Sequence, residues 1–329
     1  MSIVKNIFIF PKRLLSVQNQ IREQKTFLHE YLHPFLSKYH KKNDGSLTEY
    51  DFEKITNYYG VGSPVLAGEG IANLLNVKVG IRERKTLTLM AAITGLFDDF
   101  FDRSYESPDR IKGLMSLSPE TLPQNAHERL FCDLVQEILL ISPNKKRLYE
   151  FAERVFEAQV ESLKQKDPNT KWDDLFSITY KKGGESLLFY RCSFSTEISL
   201  QEIECLLKIG GLIQVCNDIF DVNKDIKEGI RTVATETKDI KTLKNKVQKL
   251  YKETFDFCRL AIPTKNMNVF LQQIKIIVSQ SFVALDFYQK TQKSNGDNFT
   301  PKKYPRESLI CDMGKKKHLF QASYYWIFN

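Results

Sequence analysis

The chain has little of what a β-rich, disulfide-bonded or membrane-spanning protein needs. Only 15 Gly and 11 Pro occur in 329 residues, which argues against a fold built of many tight turns. The six Cys lie far apart in apolar stretches and form no CxxC pair, a pattern typical of reduced, buried thiols in a cytoplasmic protein. No window approaches the roughly 20 apolar residues of a membrane span. The N-terminal sequence MSIVKNIFIFPKRLL lacks the long apolar core and cleavage site of a signal peptide. We therefore expect a cytoplasmic protein with no membrane span.

The composition is that of a globular protein with a positive charge. Apolar residues make up 42% and charged residues 27% of the chain, which is enough for a sizeable core. The formal charge of +8 suits an anionic partner, such as a nucleic acid, a membrane surface or a phosphorylated small molecule. The basic residues are scattered as on a solvated surface, and no nucleic-acid-binding signature accompanies them. We expect no nucleic-acid partner.

The apolar pattern predicts an all-α fold. A period of 3.6 residues dominates, and strand alternation is absent. Several predicted helices exceed 20 residues and are apolar on more than one side, which is typical of the middle of a large bundle. Predicted helices lie near 14–39, 49–59, 63–76, 83–103, 124–141, 145–165, 171–193, 200–226, 238–260 and 266–290. Without repeats or low-complexity linkers, we predict one domain over 1–329, with an N-terminal extension helix in 1–40 and a loop and tail over 294–329.

Three aspartates end one of the apolar helices. Asp98 and Asp102 are four residues apart and share a helical face, with Asp99 beside them. Like charges at this spacing repel, and desolvation raises the cost further. Mg²⁺ removes both objections, since it takes one or two carboxylates and completes its octahedron with water and phosphate oxygens. The alternative is a solvated helix C-terminus, where the helix dipole disfavours carboxylates.

A second oxygen-rich strip follows the apolar run LLKIGGLIQVC. Asn217, Asp221 and Asp225 stand at i, i+4 and i+8, within an arc of about 80° on one helical face. Such a strip suits a single hard cation. Lys224 lies next to the last ligand, where its ammonium could reach a diphosphate held by that metal. A charged surface stripe is the alternative, and the apolar lead-in argues against it.

Together the two motifs resemble those of class I isoprenoid-diphosphate enzymes, most closely the class I terpene synthases. The run Asp98–Asp102 matches the family's DDxxD motif. The stretch Asn217–Asp225 is similar to its second metal motif, NDxxSxxxKE, in the first two residues and the Lys. Asp221 replaces the usual Ser or Thr, and Asp225 replaces the usual Glu. Lys303-Tyr304 lies where bacterial members often carry an Arg-Tyr pair that binds diphosphate.

The resemblance implies a single α-helical bundle of the class I terpenoid synthase type with a central active-site cavity. The motifs would face each other across its mouth, and Mg²⁺ ions, usually three, would bridge them to the diphosphate. The metals would act as Lewis acids on the leaving group, and aromatic faces would shield the allylic cation. The predicted metal ligands are Asp98, Asp99, Asp102, Asn217, Asp221 and Asp225. The predicted diphosphate-binding residues are Lys181, Lys182, Lys224, Lys303, Tyr304 and Arg306. The predicted cavity lining is Phe97, Phe101, Tyr180, Phe189, Tyr190 and Phe220.

Two glycines in the predicted helix 171–193 have two interpretations. Gly183 and Gly184 cost on the order of 2 kcal/mol in helix propensity. They could break the helix and expose carbonyl groups toward the cavity, as a similar break does in terpene synthases. Close packing against another helix explains them equally well.

The predicted activity is Mg²⁺-dependent ionisation of a linear isoprenoid diphosphate, with diphosphate release and cyclisation or rearrangement to a terpene. The stretch QVCNDIFDVNKD also resembles the second motif of squalene- and phytoene-type synthases, in which Asn precedes DxxxD. Head-to-head condensation, or another prenyl transfer, is therefore the alternative. A basic helical protein that binds nucleic acid or a partner helix is the non-enzymatic alternative, and it leaves both acidic strips unexplained. Substrate length, product skeleton and oligomeric state, a homodimer included, stay open.

Overall fold

The structure is a computed structural model that describes residues 3–102, 107–296 and 298–329. It is 80% helical, and no strand occurs within those ranges. The predicted all-α class is therefore confirmed. The helices also account for the low glycine and proline content, because few tight turns are needed to connect them.

The contacts divide the chain into two compact units. The first, here called the N-terminal unit, comprises Leu15–Val160 and Phe189–Glu197. The second, the C-terminal unit, comprises Met1–Leu14, Glu161–Leu188 and Ile198–Asn329. The Asp98–Asp102 motif belongs to the N-terminal unit, and the Asn217–Asp225 motif belongs to the C-terminal unit.

The N-terminal unit is organised around one long apolar helix, α6, which packs against α8. Both faces of α6 are largely buried, as its composition predicts. Most other helices of the first half of the chain are shorter, and single π-helical turns join several of them. Helix α1 (Ile3–Phe27) is longer, and its residues up to Leu14 belong to the C-terminal unit. The remaining helices are α2 (His33–Lys41), α3 (Glu49–Glu53), α4 (Gly60–Ser63), α5 (Glu69–Leu75), α6 (Ile81–Asp102), α7 (Pro108–Met115), α8 (Ala126–Ile141) and α9 (Lys145–Ser162).

The C-terminal unit is built on three long helices, α11, α13 and α14, which pack against one another. The last helix of the chain, α15, packs against α14. The helices are α10 (Trp172–Tyr190), α11 (Leu200–Phe220), α12 (Val222–Glu228), α13 (Ile240–Ala261), α14 (Lys265–Asn295) and α15 (Lys316–Phe328). A 3₁₀ turn at Pro301–Lys303 packs beside α12.

Helix α14 is long and apolar enough to cross a membrane by length and composition alone. However, 61% of its apolar window is buried inside the protein. The core helix of a soluble protein passes the same test, so this is weak evidence for a membrane span.

Two predicted boundaries are wrong. The predicted helix 200–226 ends at Phe220, because Asp221 leaves helical geometry (φ −89°, ψ 7°) before α12 begins. The predicted loop and tail over 294–329 contains α15. The apolar pattern of α15 is irregular, since Trp326 packs inward while neighbouring aromatic residues face outward.

The predicted helix break at Gly183 and Gly184 is also wrong. Helix α10 continues through both residues to Tyr190. A Cβ atom on Gly183 would lie 2.3 Å from the carbonyl oxygen of Gly210, and one on Gly184 would lie 2.8 Å from that of Leu207. The glycines therefore let α10 and α11 approach backbone to backbone, which is the packing explanation that the sequence left open.

Candidate metal and diphosphate site

The interruption between α11 and α12 gathers three carboxylates in the C-terminal unit. The backbone N–H of Asp221 bonds to the carbonyl of Asn217 at 2.9 Å, and that of Asp225 bonds to the carbonyl of Asp221 at 2.8 Å. The chain thus keeps a helical rise through the junction although Asp221 is not helical. Asp218, Asp221 and Asp225 are close enough to perturb one another electrostatically. We call these three residues the C-terminal acidic cluster.

Two of these carboxylates have hydrogen-bond donors and one carboxylate oxygen has none. Thr179 donates its hydroxyl to Asp218 Oδ2 at 2.8 Å, and the Gln214 amide donates to Asp218 Oδ1 at 3.1 Å. The Asn217 amide donates to Asp221 Oδ2 at 3.0 Å. Asp225 Oδ2 is buried and has no hydrogen-bond partner in the part of the chain that the structure describes. A buried polar atom without a partner is costly and calls for an explanation.

Burial raises the pKa of all three carboxyl groups, and repulsion by neighbouring carboxylates adds to the effect at Asp218 and Asp225. Desolvation, followed by the charges of Asp218 and Asp221, raises the pKa of Asp225 to about 9. Desolvation raises the pKa of Asp218 to about 6, against the opposing hydrogen bonds from Thr179 and Gln214. Desolvation also raises the pKa of Asp221. The cluster is therefore electrostatically unfavourable when ionised, and a bound cation would relieve it.

Positive charge comes from two of the predicted lysines. Lys224 lowers the pKa of both Asp221 and Asp225, and Lys182 lowers that of Asp218. Lys181 is on the other side of α10, where its ammonium pairs with Glu161 at 2.8 Å. The adjacent lysines therefore differ: Lys182 acts on the cluster, whereas Lys181 has a partner elsewhere.

The predicted diphosphate-binding residues near the C-terminus lie on the turn beside α12. Lys303 ends the 3₁₀ turn, and its side chain is exposed, as is that of Arg306. The Tyr304 ring packs edge-on against Phe299 at 5.5 Å, and its hydroxyl donates to the carbonyl of Asn298 at 3.2 Å. The turn thus holds Tyr304 in place and leaves two cationic side chains in solvent.

Three residues of this site were not among the predicted ones. Asp218 is part of the second motif but was not predicted as a ligand. Its spacing of seven residues from Asp225 nevertheless puts the two on one helical face. Thr179 gave no sequence signal. Tyr288 is buried on α14 and donates its hydroxyl toward the carbonyls of Ile219 (2.9 Å) and Leu309 (3.0 Å). Tyr288 therefore fixes the C-terminal end of α11 against the segment that follows the 3₁₀ turn.

The Asp98–Asp102 motif of the N-terminal unit has a different environment. Lys54 places its ammonium 2.5 Å from Asp99 Oδ2 and 3.3 Å from Asp51 Oδ1, and all three side chains are largely buried. Tyr59 donates its hydroxyl to Asp98 Oδ2 at 3.1 Å, and burial beside that carboxylate raises the pKa of Tyr59. A lysine already provides a cation at Asp99, the position where the sequence predicted a metal.

The predicted lining residues are mostly packed against other aromatic side chains. Phe97 and Phe101 are buried, with their ring centroids 5.3 Å apart, and each contacts a further phenylalanine of the N-terminal unit. Phe189 and Tyr190 are buried, and the Tyr190 hydroxyl bonds to that of Thr94 at 2.9 Å. Tyr180 covers Gly211 in the C-terminal unit, where Phe220 is half-buried. Their role as a cavity lining stays a prediction.

The donor set of the C-terminal acidic cluster fits a hard cation. Its donors are carboxylate oxygens, with the amide of Asn217 beside them, and Mg²⁺ prefers oxygen ligands of this kind. Within the described ranges, however, no three His, Cys, Asp or Glu side chains form a group that could hold a metal ion by themselves. Mg²⁺ needs only one or two protein carboxylates when water and phosphate complete its shell, and Asp225 Oδ2 is one oxygen without a competing hydrogen bond.

A scan against protein-family models and searches against curated proteins and solved structures found no match to this chain. The fold class therefore rests on the helices themselves, and the site rests on its own residues.

Proposed function

We propose that this protein is a Mg²⁺-dependent enzyme that ionises a linear isoprenoid diphosphate and converts the resulting cation to a terpene. The observation that supports the proposal best is the C-terminal acidic cluster. Three carboxylates share a buried region, each has a raised pKa, and one oxygen of Asp225 has no partner in the described chain. Without a cation this arrangement destabilises the fold, and a bound metal would offset that cost.

The cationic side chains around the cluster point to an anionic substrate. A site for a metal alone would not need Lys182 and Lys224 beside its ligands, because their charges compete with the metal. A site for a metal–diphosphate complex does, since the substrate brings negative charge of its own. Lys303, on the turn beside α12, and Arg306, three residues further along the chain, would add charge to the same anion. When bound, Mg²⁺ would act as a Lewis acid on the leaving diphosphate.

The chain's own residues have three tasks in this proposal. Asp225 and Asp221 would provide oxygen ligands, with Asn217 as a neutral third ligand. Thr179 and Gln214 hold the Asp218 carboxylate in one orientation, which makes Asp218 a positioning residue for the cluster. The lysines would bind the diphosphate before and after its bond to the allylic carbon breaks.

The isoprenoid part of the proposal rests on the two motifs. The run Asp98–Asp102 matches DDxxD, and Asn217–Asp225 is similar to the second motif of class I terpene synthases. We propose that Asp98 and Asp102 also bind a metal ion, as the resemblance implies. Asp99 forms an ion pair with Lys54. That pair would have to open before Asp99 could bind a metal, so we expect Asp99 to contribute less than the other two aspartates.

One observation favours the head-to-head condensing alternative. Beside burial and the charge of Asp218, the charge of Asp221 raises the pKa of Asp225, so these two carboxylates lie close enough to act on each other. A DxxxD pair is what the second motif of squalene- and phytoene-type synthases provides. The two functions differ in their products, because condensation joins two substrates and doubles the carbon count, whereas cyclisation uses one.

Product analysis tests the proposal directly. The purified protein would be incubated with linear allylic diphosphates of increasing chain length, with Mg²⁺ or with excess chelator, and the organic extract analysed by mass spectrometry. We expect a terpene of unchanged carbon count, formed only with the metal. Turnover that survives exhaustive chelation would overturn the metal assignment, and a doubled-carbon product would favour condensation.

A binding assay separates the enzyme from the non-enzymatic alternative. Mg²⁺ and pyrophosphate together should raise the melting temperature of the protein more than either alone, since a ligand that binds only the native state stabilises it. A basic protein that binds nucleic acid would instead be stabilised by polyanions, with a steep dependence on salt.

A further inference from the structure

The start of α1 and the last helix of the chain, α15, contact each other in the C-terminal unit, and each exposes apolar side chains. On α1, the exposed Ile3, Val4, Ile7 and Phe8 form one stripe, because their spacings of three and four residues place them on one helical face. The other face of α1 is used for packing: the buried Asn6 donates its amide to the carbonyl of Ile327 at 2.8 Å. The exposed stripe therefore is not the face that holds α1 in the fold.

Helix α15 exposes a second stripe of the same kind. Phe320, Tyr324 and Phe328 stand at i, i+4 and i+8 and are all exposed, while Trp326 points inward and packs against Phe10 of α1 at 5.1 Å. Phe8 and Phe320 expose 71% and 75% of their surface. Such large aromatic side chains in contiguous exposed stripes mark an interaction surface. We call the two stripes together the terminal apolar surface.

Basic residues, and no acidic ones, accompany this surface. Residues 3–22 and 313–329 contain no Asp or Glu. Lys5 and Lys12, seven residues apart, lie on one side of α1. Lys315, Lys316 and Lys317 lie at the start of α15, where the helix dipole disfavours positive charge and where no side chain caps the helix. Since these lysines do not help α15 to form, a partner outside the fold accounts better for them.

We propose that the terminal apolar surface docks this protein on the surface of an anionic lipid membrane. An apolar helix face with basic residues along its border matches the acyl chains and the negative headgroups of such a membrane. The surface would lie on the membrane and would not span it. This proposal does not depend on the proposed function, because it uses residues outside both acidic clusters.

Vesicle flotation tests the proposal with the full chain. The probes are vesicles of phosphatidylcholine alone and of phosphatidylcholine with roughly a third phosphatidylserine. We expect the protein to float with the anionic vesicles and to be released by salt. The double variant Phe8→Ser/Phe320→Ser should weaken binding roughly tenfold or more. The matched control Leu200→Ser/Leu260→Ser, which alters equally exposed leucines elsewhere in the same unit, should bind normally.

The basic border is tested separately. Replacing Lys315, Lys316 and Lys317 with Gln should abolish the preference for anionic vesicles, whereas the same change at Lys241, Lys249 and Lys252 on α13 should not.

Three outcomes overturn the proposal: no binding of the wild-type chain to either vesicle, equal loss in the control variants, or a dimer in light scattering that Phe8→Ser/Phe320→Ser dissociates while vesicle binding is absent. The last outcome would make the surface a contact between two copies of the chain. Circular dichroism confirms that each variant is folded.

Discussion

The two acidic motifs look alike in the sequence, but their surroundings differ. Each consists of aspartates three or four residues apart at the end of a long apolar helix. In the N-terminal unit, Lys54 lies between Asp51 and Asp99, and Tyr59 donates to Asp98. In the C-terminal unit, the cluster of Asp218, Asp221 and Asp225 has neutral donors, two lysines at its border and one buried oxygen without a described partner.

The difference shows that an acidic motif does not by itself indicate a metal site. In the N-terminal unit a lysine from another helix already compensates the charge of the buried carboxylates. In the C-terminal unit the pKa of each carboxyl group is raised, so a bound cation would still stabilise their ionised form. The second cluster is therefore the stronger candidate for the metal, although the first has the better match to a known motif.

The largest expected effect is the loss of activity in Asp225→Asn. The amide keeps the shape of the side chain but removes the charge that a metal would bind, so diphosphate release should fall on the order of a hundredfold to a thousandfold. The matched control is Asp256→Asn, the same acid-to-amide change at an exposed position on α13. Equal losses in both variants would contradict a specific role for Asp225, which a continuous assay of released diphosphate would reveal.

Replacing the internal cation of the N-terminal unit should have the next largest effect. Lys54→Met leaves the buried carboxylates of Asp51 and Asp99 without their ammonium, and this should destabilise the protein by about 3 kcal/mol. Adding Asp99→Asn to that variant should restore part of the stability, because one unpaired charge is then removed. Scanning calorimetry at neutral pH measures both. If the double variant is as unstable as Lys54→Met, packing rather than charge accounts for the loss.

The metal-free protein should lose stability as the pH rises, because of the C-terminal acidic cluster. The pKa of Asp225 is about 9 in the folded state and about 4 when unfolded. Between these values the folded state holds a proton that the unfolded state has lost, so folding is favoured at the lower pH and this contribution disappears as pH rises toward 9. Asp225→Asn should flatten the dependence and, with chelator present, raise the melting temperature at pH 8 by a few degrees.

Asp99→Asn, in the N-terminal unit, is the comparison variant for this pH series. It removes an ion pair instead of a repulsion, so it should lower the melting temperature at neutral pH. If both variants shift stability in the same direction, the contrast between the two clusters is wrong.

The sequence predicted the helices better than the contacts that their side chains make. The period of 3.6 residues predicted the all-α class and located most long helices, since α6, α8 and α14 are apolar over many turns and α13 has one regular apolar face. It did not predict the end of α11 at Phe220, because no Gly or Pro marks that position. Nor did it predict α15, whose aromatic side chains face outward as well as inward.

The sequence proposed ligands for the site but did not predict their environment. Spacing alone places Asn217, Asp221 and Asp225 on one face, and it would also have placed Asp218 with Asp225. It gives no information about Thr179 or Lys54, because their contacts join residues 39 and 45 positions apart in the chain. Which of two adjacent lysines acts on the cluster, Lys181 or Lys182, depends on the orientation of α10, and that is set by the close approach of Gly183 to Gly210.

The smallest expected effect separates cyclisation from condensation and concerns Asp221. Asp221 occupies the position where terpene synthases carry Ser or Thr. A cyclase should therefore accept Asp221→Ser, since Mg²⁺ binds a neutral oxygen and can keep an additional water. We expect the variant to retain activity within about tenfold of the wild type. The Ser side chain can also still accept the hydrogen bond that Asn217 donates to Asp221. Asp221→Ala, which removes both side-chain oxygens, is the matched control and should lose more activity.

In a condensing enzyme Asp221 and Asp225 would act as a pair of charges, and Asp221→Ser would then be as inactive as Asp221→Ala. An inactive Asp221→Ser together with a doubled-carbon product from the wild type would therefore replace the cyclase proposal with the condensing one.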